Sequence, residues 1–393
     1  MDVEIRPPAD EEADALFSLM REGFATPAHR FDRWISHTRF DRYLGAYVGG
    51  GLAGALEVLE LGQWFGGRSI PMGGVASVAV APEWRGQGLA PRLVTRAIHE
   101  MRARGEAIST LYPATTRLYR RLGWEVAGEH GVRTVPARSL ASLPPGEPER
   151  LRRGSDDDLP LVRECYDRVA AGQNGFVDRP DSYWSRRLDL DRSDTYLYVC
   201  EAEGRVDGYV VYRQVRSRDG WGFGITVREL VAVDPAAGLA LWRHLGSHAA
   251  QVETVTLLGG PADLLTLLLP EQDVAVKRTM GWMTRVVDAS AAVAARGYPP
   301  GVRAEVHLEI GDRQAPWNDG PFVLDVEDGR GELRPGGTGD VRLAAHALAA
   351  LYTGWTSART LAAAGLVHHA RDRDLAVLDA VFAGPRPWMF DEF

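Results

Sequence analysis

Two cysteines in 393 residues, Cys165 and Cys200, are too few for a disulfide scaffold or a cysteine-built zinc site. The histidines fall at no ligand spacing with carboxylates or cysteines, so no metal centre is expected. No apolar run approaches the roughly 18 residues that cross a bilayer, and Met1 to Phe17 is acidic rather than basic and then apolar. Neither a membrane span nor a secretory leader is expected, which makes the cytoplasm the natural compartment. Positive charge is not in excess either: 45 Lys and Arg against 53 Asp and Glu give a net charge of −8, which argues against nucleic acid and favours cationic small molecules or basic peptides as ligands. What remains is a chain 45% hydrophobic and 25% charged, the balance of a water-borne globular protein, and too long for one ordinary core. Two or three domains are expected.

The stretch from Val75 to Leu93, VASVAVAPEWRGQGLAPRL, organises the rest. Val75 to Ala81 is a short β-branched run that Pro82 ends by removing a backbone donor, and Leu93, Val94, Ala97 and Ile98 keep helical spacing from Leu89 onward. Between them, Arg85-Gly86-Gln87-Gly88-Leu89-Ala90 puts small residues where amides at a helix N-terminus lack partners, a nest for anions of which a diphosphate is the usual occupant. The turn does not end in Gly-Lys-Ser/Thr and lacks the three-glycine dinucleotide pattern.

This turn resembles the Arg/Gln-x-x-Gly-x-Gly/Ala pyrophosphate loop of the GCN5-related N-acetyltransferases (GNAT), with Arg85, Gly88 and Ala90 at the defining positions. The resemblance implies acetyl-CoA as co-substrate, the loop from Arg85 to Ala90 holding its diphosphate, and the backbone of Val78, Ala79 and Val80 in a splayed strand holding its pantetheine arm. The surrounding order agrees. Val3 to Arg6 reads as a strand, Ala13 to Phe24 as a helix, Tyr43 to Glu60 as a hairpin, Ser69 to Val80 as the central strand and Ala107 to Tyr112 as the strand after the loop helix. Tyr119, Gly123 and Trp124 fit the family's Tyr-x-x-x-Gly-Phe/Tyr signature, with glycine releasing the helix into the next strand.

Pro136 to Pro148 reads as a linker, after which the chain starts again: Ser155 with Asp156, Asp157 and Asp158 caps a helix. Val231 to Arg243 echoes the loop region without its Arg-Gly-Gln portion, and Gly281-Trp282 echoes Gly123-Trp124 with Lys277 where the first copy has Tyr119. The second copy is expected to keep the fold without the chemistry. From about Ala291, strands over Val302 to Ile310 and Gly320 to Asp325 and helices over Asp340 to Leu351, Ser357 to Ala364 and Asp372 to Phe382 make a third domain. The final segment, with Trp388, Phe390 and Phe393, is apolar enough to be buried.

The expected class is therefore α/β (α+β), with tandem GNAT-like domains, each a mixed sheet flanked by helices, at residues 1–140 and 141–290, and a sterol-carrier-protein-like α/β domain at 291–393. This architecture is similar to that of the enhanced intracellular survival (Eis) family of N-acetyltransferases. That resemblance implies transfer of acetyl to primary amines of aminoglycoside or lysine type by direct attack, Tyr119 as general acid, the Phe393 carboxylate as general base, and a homo-oligomer, hexameric in the family. One departure is Ala114, five residues before Tyr119, where a well-known member has a serine near the cofactor. The alternative from another class is a non-catalytic sensor or scaffold that binds acetyl-CoA or a lipid.

Overall fold

The computed structural model describes residues 2–190, 192–216, 222–262 and 264–393. The first part of the chain forms β1 (Glu4–Arg6), β2 (Tyr43–Val48), β3 (Gly51–Phe65), β4 (Arg68–Val80), β5 (Ile108–Leu111) and β6 (Glu125–Pro136). Helices Ala13–Phe24, Leu89–Ala103 and Thr116–Arg121 connect them. Leu89–Ala103 buries Leu93, Val94, Ala97, Ile98 and Met101, the stripe that its apolar spacing demands. The second part forms β7 (Leu151–Arg153), β8 (Val177–Asp178), β9 (Thr195–Ala202), β10 (Arg205–Arg216), β11 (Phe223–Ala232), β12 (Thr254–Gly259) and β13 (Ala275–Val286). Its first long helix, Leu159–Ala170, opens on a capping box in which Asp158 accepts from the Ser155 amide at 2.8 Å, so the aspartates serve the helix start.

The two parts share one sheet of 13 strands in the order β1-β2-β3-β4-β5-β13-β6-β12-β11-β10-β9-β7, with β8 on β3. Their closing strands are exchanged. β13, from the second part, pairs antiparallel with β5 from Met283↔Leu111 to Val286↔Ile108, while β6, from the first, pairs with β12 from Thr254↔Pro136 to Gly259↔Gly131. Separating the parts would break backbone hydrogen bonds in the middle of a sheet, which are expensive to leave unmade. The segment read as a linker is ordered too: helix Ala137–Ala141 buries Ala137, Ser139 and Leu140 against helix Pro235–Gly246.

The third part forms β14 (Ala304–Gly311), β15 (Gly320–Glu327), β16 (Arg330–Pro335), β17 (Val341–Ala344) and β18 (Val367–His368) in the order β16-β15-β14-β17-β18. The helix expected over Asp340 to Leu351 is divided. Val341–Ala344 is a strand parallel to β14, its side chains alternating buried and exposed, and the helix begins only at Ala345. Burial on a period of two outweighs helix propensity there. One core cluster runs from Phe65, Ile70 and Met72 through Trp282 and Val286 to Leu308, Leu348 and Leu378, so the third part is packed onto the others. Arg285 and Asp312, both buried, meet at 2.7 Å across that junction. Cys165 and Cys200 are buried core residues.

Candidate functional site

β4 and β5 run parallel, but their register covers only Met72–Gly74 against Ile108–Thr110, while β4 continues to Val80. Past Gly74 the two strands part. A bulge re-aims β4 within this stretch: Glu57 of β3 faces Ala76, Ala55 faces Ala79, and Ser77 has φ +55°. Val78 and Val80 are half-buried and Ala79 buried, so the backbone between them forms one wall of a fork.

Arg85 folds back on this strand, its Nε donating to the Val80 carbonyl at 3.0 Å, and Gln87 Nε2 donates to the Glu83 carbonyl at 3.0 Å. Gly86 and Gly88 have φ of 75° and 81°, and a Cβ at either would meet nothing within 4 Å. Glycine serves the backbone conformation there rather than a lack of room. Gly88 is the N-cap of helix Leu89–Ala103 and no side chain caps it, which leaves the amides of the first turn, around Leu89 and Ala90, open to an anion. A diphosphate fits this arrangement. The second part repeats the fork, since β11 pairs with β12 only at Ile225 and Thr226. There the helix Pro235–Gly246 is capped by its own Asp234, whose carboxylate accepts from the Ala237 amide at 2.8 Å. That carboxylate occupies the place a phosphate would need. Lys277, at the position echoing Tyr119, is exposed within β13.

Tyr119 sits in helix Thr116–Arg121, after the exposed bend at Ala114. Its carbonyl accepts from the amides of Leu122 and Trp124 at 3.0 Å each, and its ring packs edge-on against Trp124 with centroids 6.2 Å apart. Val75 belongs to the same cluster and Val78 packs against it, so the ring lies in the core that backs the fork. Burial pushes the Tyr119 hydroxyl up to about 12.

The chain's last residues are held by charge. Asp391 is fully buried and bonds Arg179 at 2.9 and 3.0 Å, while Arg179 bonds Glu229 at 2.6 and 3.0 Å. Glu392 meets His130 at 3.0 Å, and that hydrogen bond holds its carboxyl below the usual range. The Tyr112 hydroxyl donates to the Asp391 carbonyl at 2.8 Å. Phe393 is thereby set against Tyr112, centroids 6.1 Å apart, and against Gly74, where a Cβ would lie 3.0 Å from its ring. Gly74 is the last residue of β4 paired with β5, so Phe393 stands at the root of the fork. The aromatic tail does not form one shell: Trp388 and Phe390 pack on Phe176, with centroids at 4.9 and 5.2 Å.

A cleft of about 660 Å³ opens beside the bulge, lined by Ser77, Glu57, Tyr43, Trp34 and several arginines. The Tyr43 hydroxyl donates to Glu57 at 3.0 Å. Trp34 lines the cleft, with Phe31 and Phe40 packed on it at 5.9 and 6.5 Å; Phe24 points to solvent and Trp64 packs against the Phe176 cluster. Glu57, Ser77, Asp189, Arg213 and Arg228 carried no signal in the sequence, because they converge from separate strands and loops. Among the described residues, no group of three or more His, Cys, Asp or Glu is placed to hold a metal ion, and no helix is long and apolar enough to cross a membrane.

A strand that splays from its parallel neighbour into a glycine turn at an uncapped helix, backed by a buried tyrosine, defines an acetyltransferase of the GNAT type. The acetyltransferase (GNAT) domain family matches residues 4–127, a second acetyltransferase (GNAT) domain family residues 175–286, and the sterol carrier protein domain family residues 289–390. An uncharacterized N-acetyltransferase of Streptomyces griseus is 30% identical over 356 residues, 84% of this chain and 83% of that protein. The N-acetyltransferase Eis of Mycobacterium tuberculosis is 29% identical over 339 residues, 81% of this chain and 79% of that protein. The crystal structure of a GCN5-related N-acetyltransferase from Anabaena variabilis superposes with a TM-score of 0.93 at 33% identity, covering all of both chains. The chain belongs to the GNAT N-acetyltransferases with a sterol carrier protein domain, and Eis-like enzymes are among its homologues.

Proposed function

We propose that the protein transfers acetyl from acetyl-CoA to a primary amine of aminoglycoside or lysine type, with Tyr119 as general acid and the Phe393 carboxylate as general base. Acetyl-CoA supplies the activated acetyl group and a thiol leaving group. The observation that carries the reading is the root of the fork at Gly74, which Phe393 touches. The backbone of Val78, Ala79 and Val80 would hold the pantetheine arm and the loop Arg85, Gly86, Gln87, Gly88, Leu89 and Ala90 the diphosphate, with Ala114 beside them. Tyr119 at about 12 stays protonated and serves as a hydrogen-bond donor to the departing sulfur. A carboxylate with a reference pKa near 3.5 takes a proton from an ammonium only in an apolar setting; Tyr112, Gly74 and the Phe393 ring supply one face of it. By resemblance, the enzyme assembles as a hexamer, which light scattering would test.

A second reading of the base rests on Glu57, a buried carboxylate that lines the same cleft as Ser77. Thiol release from acetyl-CoA with a panel of polyamines, aminoglycosides and lysine peptides separates the two. Extending the chain beyond Phe393 should abolish turnover while acetyl-CoA still binds. Unchanged turnover in the extended protein together with collapse in Glu57→Gln would transfer the role to Glu57.

A further inference from the structure

We infer that the acceptor carries an anionic group beside its amine, and that arginines of the second part of the chain hold that group. The inference rests on the reading of the cleft as the amine site and, of the two acceptor types proposed for it, sides with the lysine type against the aminoglycosides. Five arginines line the cleft, Arg30, Arg33, Arg192, Arg213 and Arg228, against two carboxylates, Glu57 and Asp189. Asp189 is shared by Arg33 at 2.8 Å, Arg228 at 3.5 Å and Arg192 at 3.9 Å. Asp194, just behind the lining, takes Arg192 at 3.0 Å and Arg213 at 2.5 Å. Even with Asp194 counted, five arginines face three carboxylates among the described residues, an excess of two positive charges among them. The chain's net charge of −8 is reversed here.

Two of the five have donors left over. Arg30 makes no ion pair among the described residues. Arg228 has a buried Nε with no hydrogen-bond partner, and burial, followed by the neighbouring charge of Arg187, pushes its pKa down. A guanidinium so placed gains from an incoming carboxylate or phosphate, which it can meet with two parallel N–H donors. A polycation entering the same cleft meets like charge. The layout gives each end of the acceptor its place. Ser77 belongs to the bulge of the donor-binding strand, while Arg213 and Arg228 come from β10 and β11 of the part that lacks its own phosphate loop. About 660 Å³ accommodates a small amino acid derivative or a short acidic peptide segment. The second part has kept the fold and become the anion-binding wall of the first part's site.

The test compares 5-aminopentanoate with pentylamine, which differ by one carboxylate, and with kanamycin as a polycation, by thiol release from acetyl-CoA. The expected result is a kcat/KM at least about tenfold higher for 5-aminopentanoate, eroded by added salt. Arg213→Gln and Arg228→Gln should each shrink that ratio toward one, and glutarate, which has no amine, should inhibit competitively with the amine. The inhibition pattern is read on the native chain, so it stands even if a variant fails to fold. Pentylamine or kanamycin matching 5-aminopentanoate, a preference that survives both substitutions, or no inhibition by glutarate overturns the inference and leaves the amine transferase intact. If acetyl-CoA binds and no amine releases thiol, the amine-site reading fails, and the inference falls with it.

Discussion

Replacing Tyr119 by phenylalanine removes the proposed donor to the departing sulfur and leaves the ring. The hydroxyl stands at about 12 because the ring is buried, and the departing thiol of a coenzyme has a reference value near 8.5. Full transfer is then uphill by about 3.5 units, or about 5 kcal/mol at 1.36 kcal/mol per unit. A step that costly gives little advantage, so the hydroxyl acts by donating a hydrogen bond to the sulfur as charge develops on it. Loss of one such donor typically costs about 2.7–4 kcal/mol, a drop of 10²–10³ in kcat. Stability should hardly change. The hydroxyl makes no hydrogen bond among the described residues, and the ring keeps its contacts with Trp124 and Leu122 in the variant. The assay is thiol release at saturating acetyl-CoA across pH 7–10, alongside thermal melting and acetyl-CoA affinity. We expect kcat to fall about 10²-fold or more, with acetyl-CoA affinity and melting temperature near those of the native chain and no alkaline limb below pH 10 in either protein. A kcat within about twofold of the native value would refute the donor role. A native alkaline limb near pH 10 that disappears in the variant would refute the raised pKa.

Three further outcomes follow from the geometry. Gly88→Ala keeps the space but must adopt φ +81°, at a cost of roughly 1–2 kcal/mol, so acetyl-CoA affinity should fall about tenfold while the fold survives; calorimetric titration checks this, and unchanged affinity would remove the turn from the site. Asp391→Asn leaves Arg179 and Arg187 facing Glu229 alone in a buried setting, which should destabilise by about 3–5 kcal/mol in urea unfolding; a loss under about 1 kcal/mol would mean the tail is not held by this pairing. Burial, and then the charge of His248, push His244 down to about 4, so its neutral form belongs to the folded state. Stability from this residue is present above the unfolded value near 6.5 and is lost as pH falls through about 4. Melting temperature should drop between pH 6.5 and 4, less steeply in His244→Gln; equal slopes would contradict the assignment.

Much of the site was legible because it is local. The glycine turn, the helix after it, the hairpin before it and the buried Tyr119 lie within Tyr43 to Trp124, and each follows from spacing or from turn chemistry over a few residues. The misreadings came where short-range signals compete with burial. Val341 to Ala344 has a sequence that a helix would accept, yet parallel pairing to β14 makes it a strand. Pro136 to Pro148 has a linker's composition, yet Leu140 and Leu143 are buried.

By itself the sequence determined the class of the protein, since the loop from Arg85 to Ala90, its absence from the second copy and the third domain's strands are written in contiguous residues. Tertiary structure alone decided how those pieces make a site. The exchange of β6 and β13 between the two parts, the parting of β4 from β5 after Gly74, the bulge at Ser77 and the docking of Phe393 through Asp391 and Arg179 join residues up to hundreds of positions apart. Periodicity carries no record of such pairings, because strand partners and buried ion pairs are chosen by the burial and register available once the whole chain has collapsed. The arginine lining of the cleft shows the same division: Arg30 and Arg33 come from the segment before β2 and the others from the loop before β9, from β10 and from β11, and their common charge exists only where the fold brings them together.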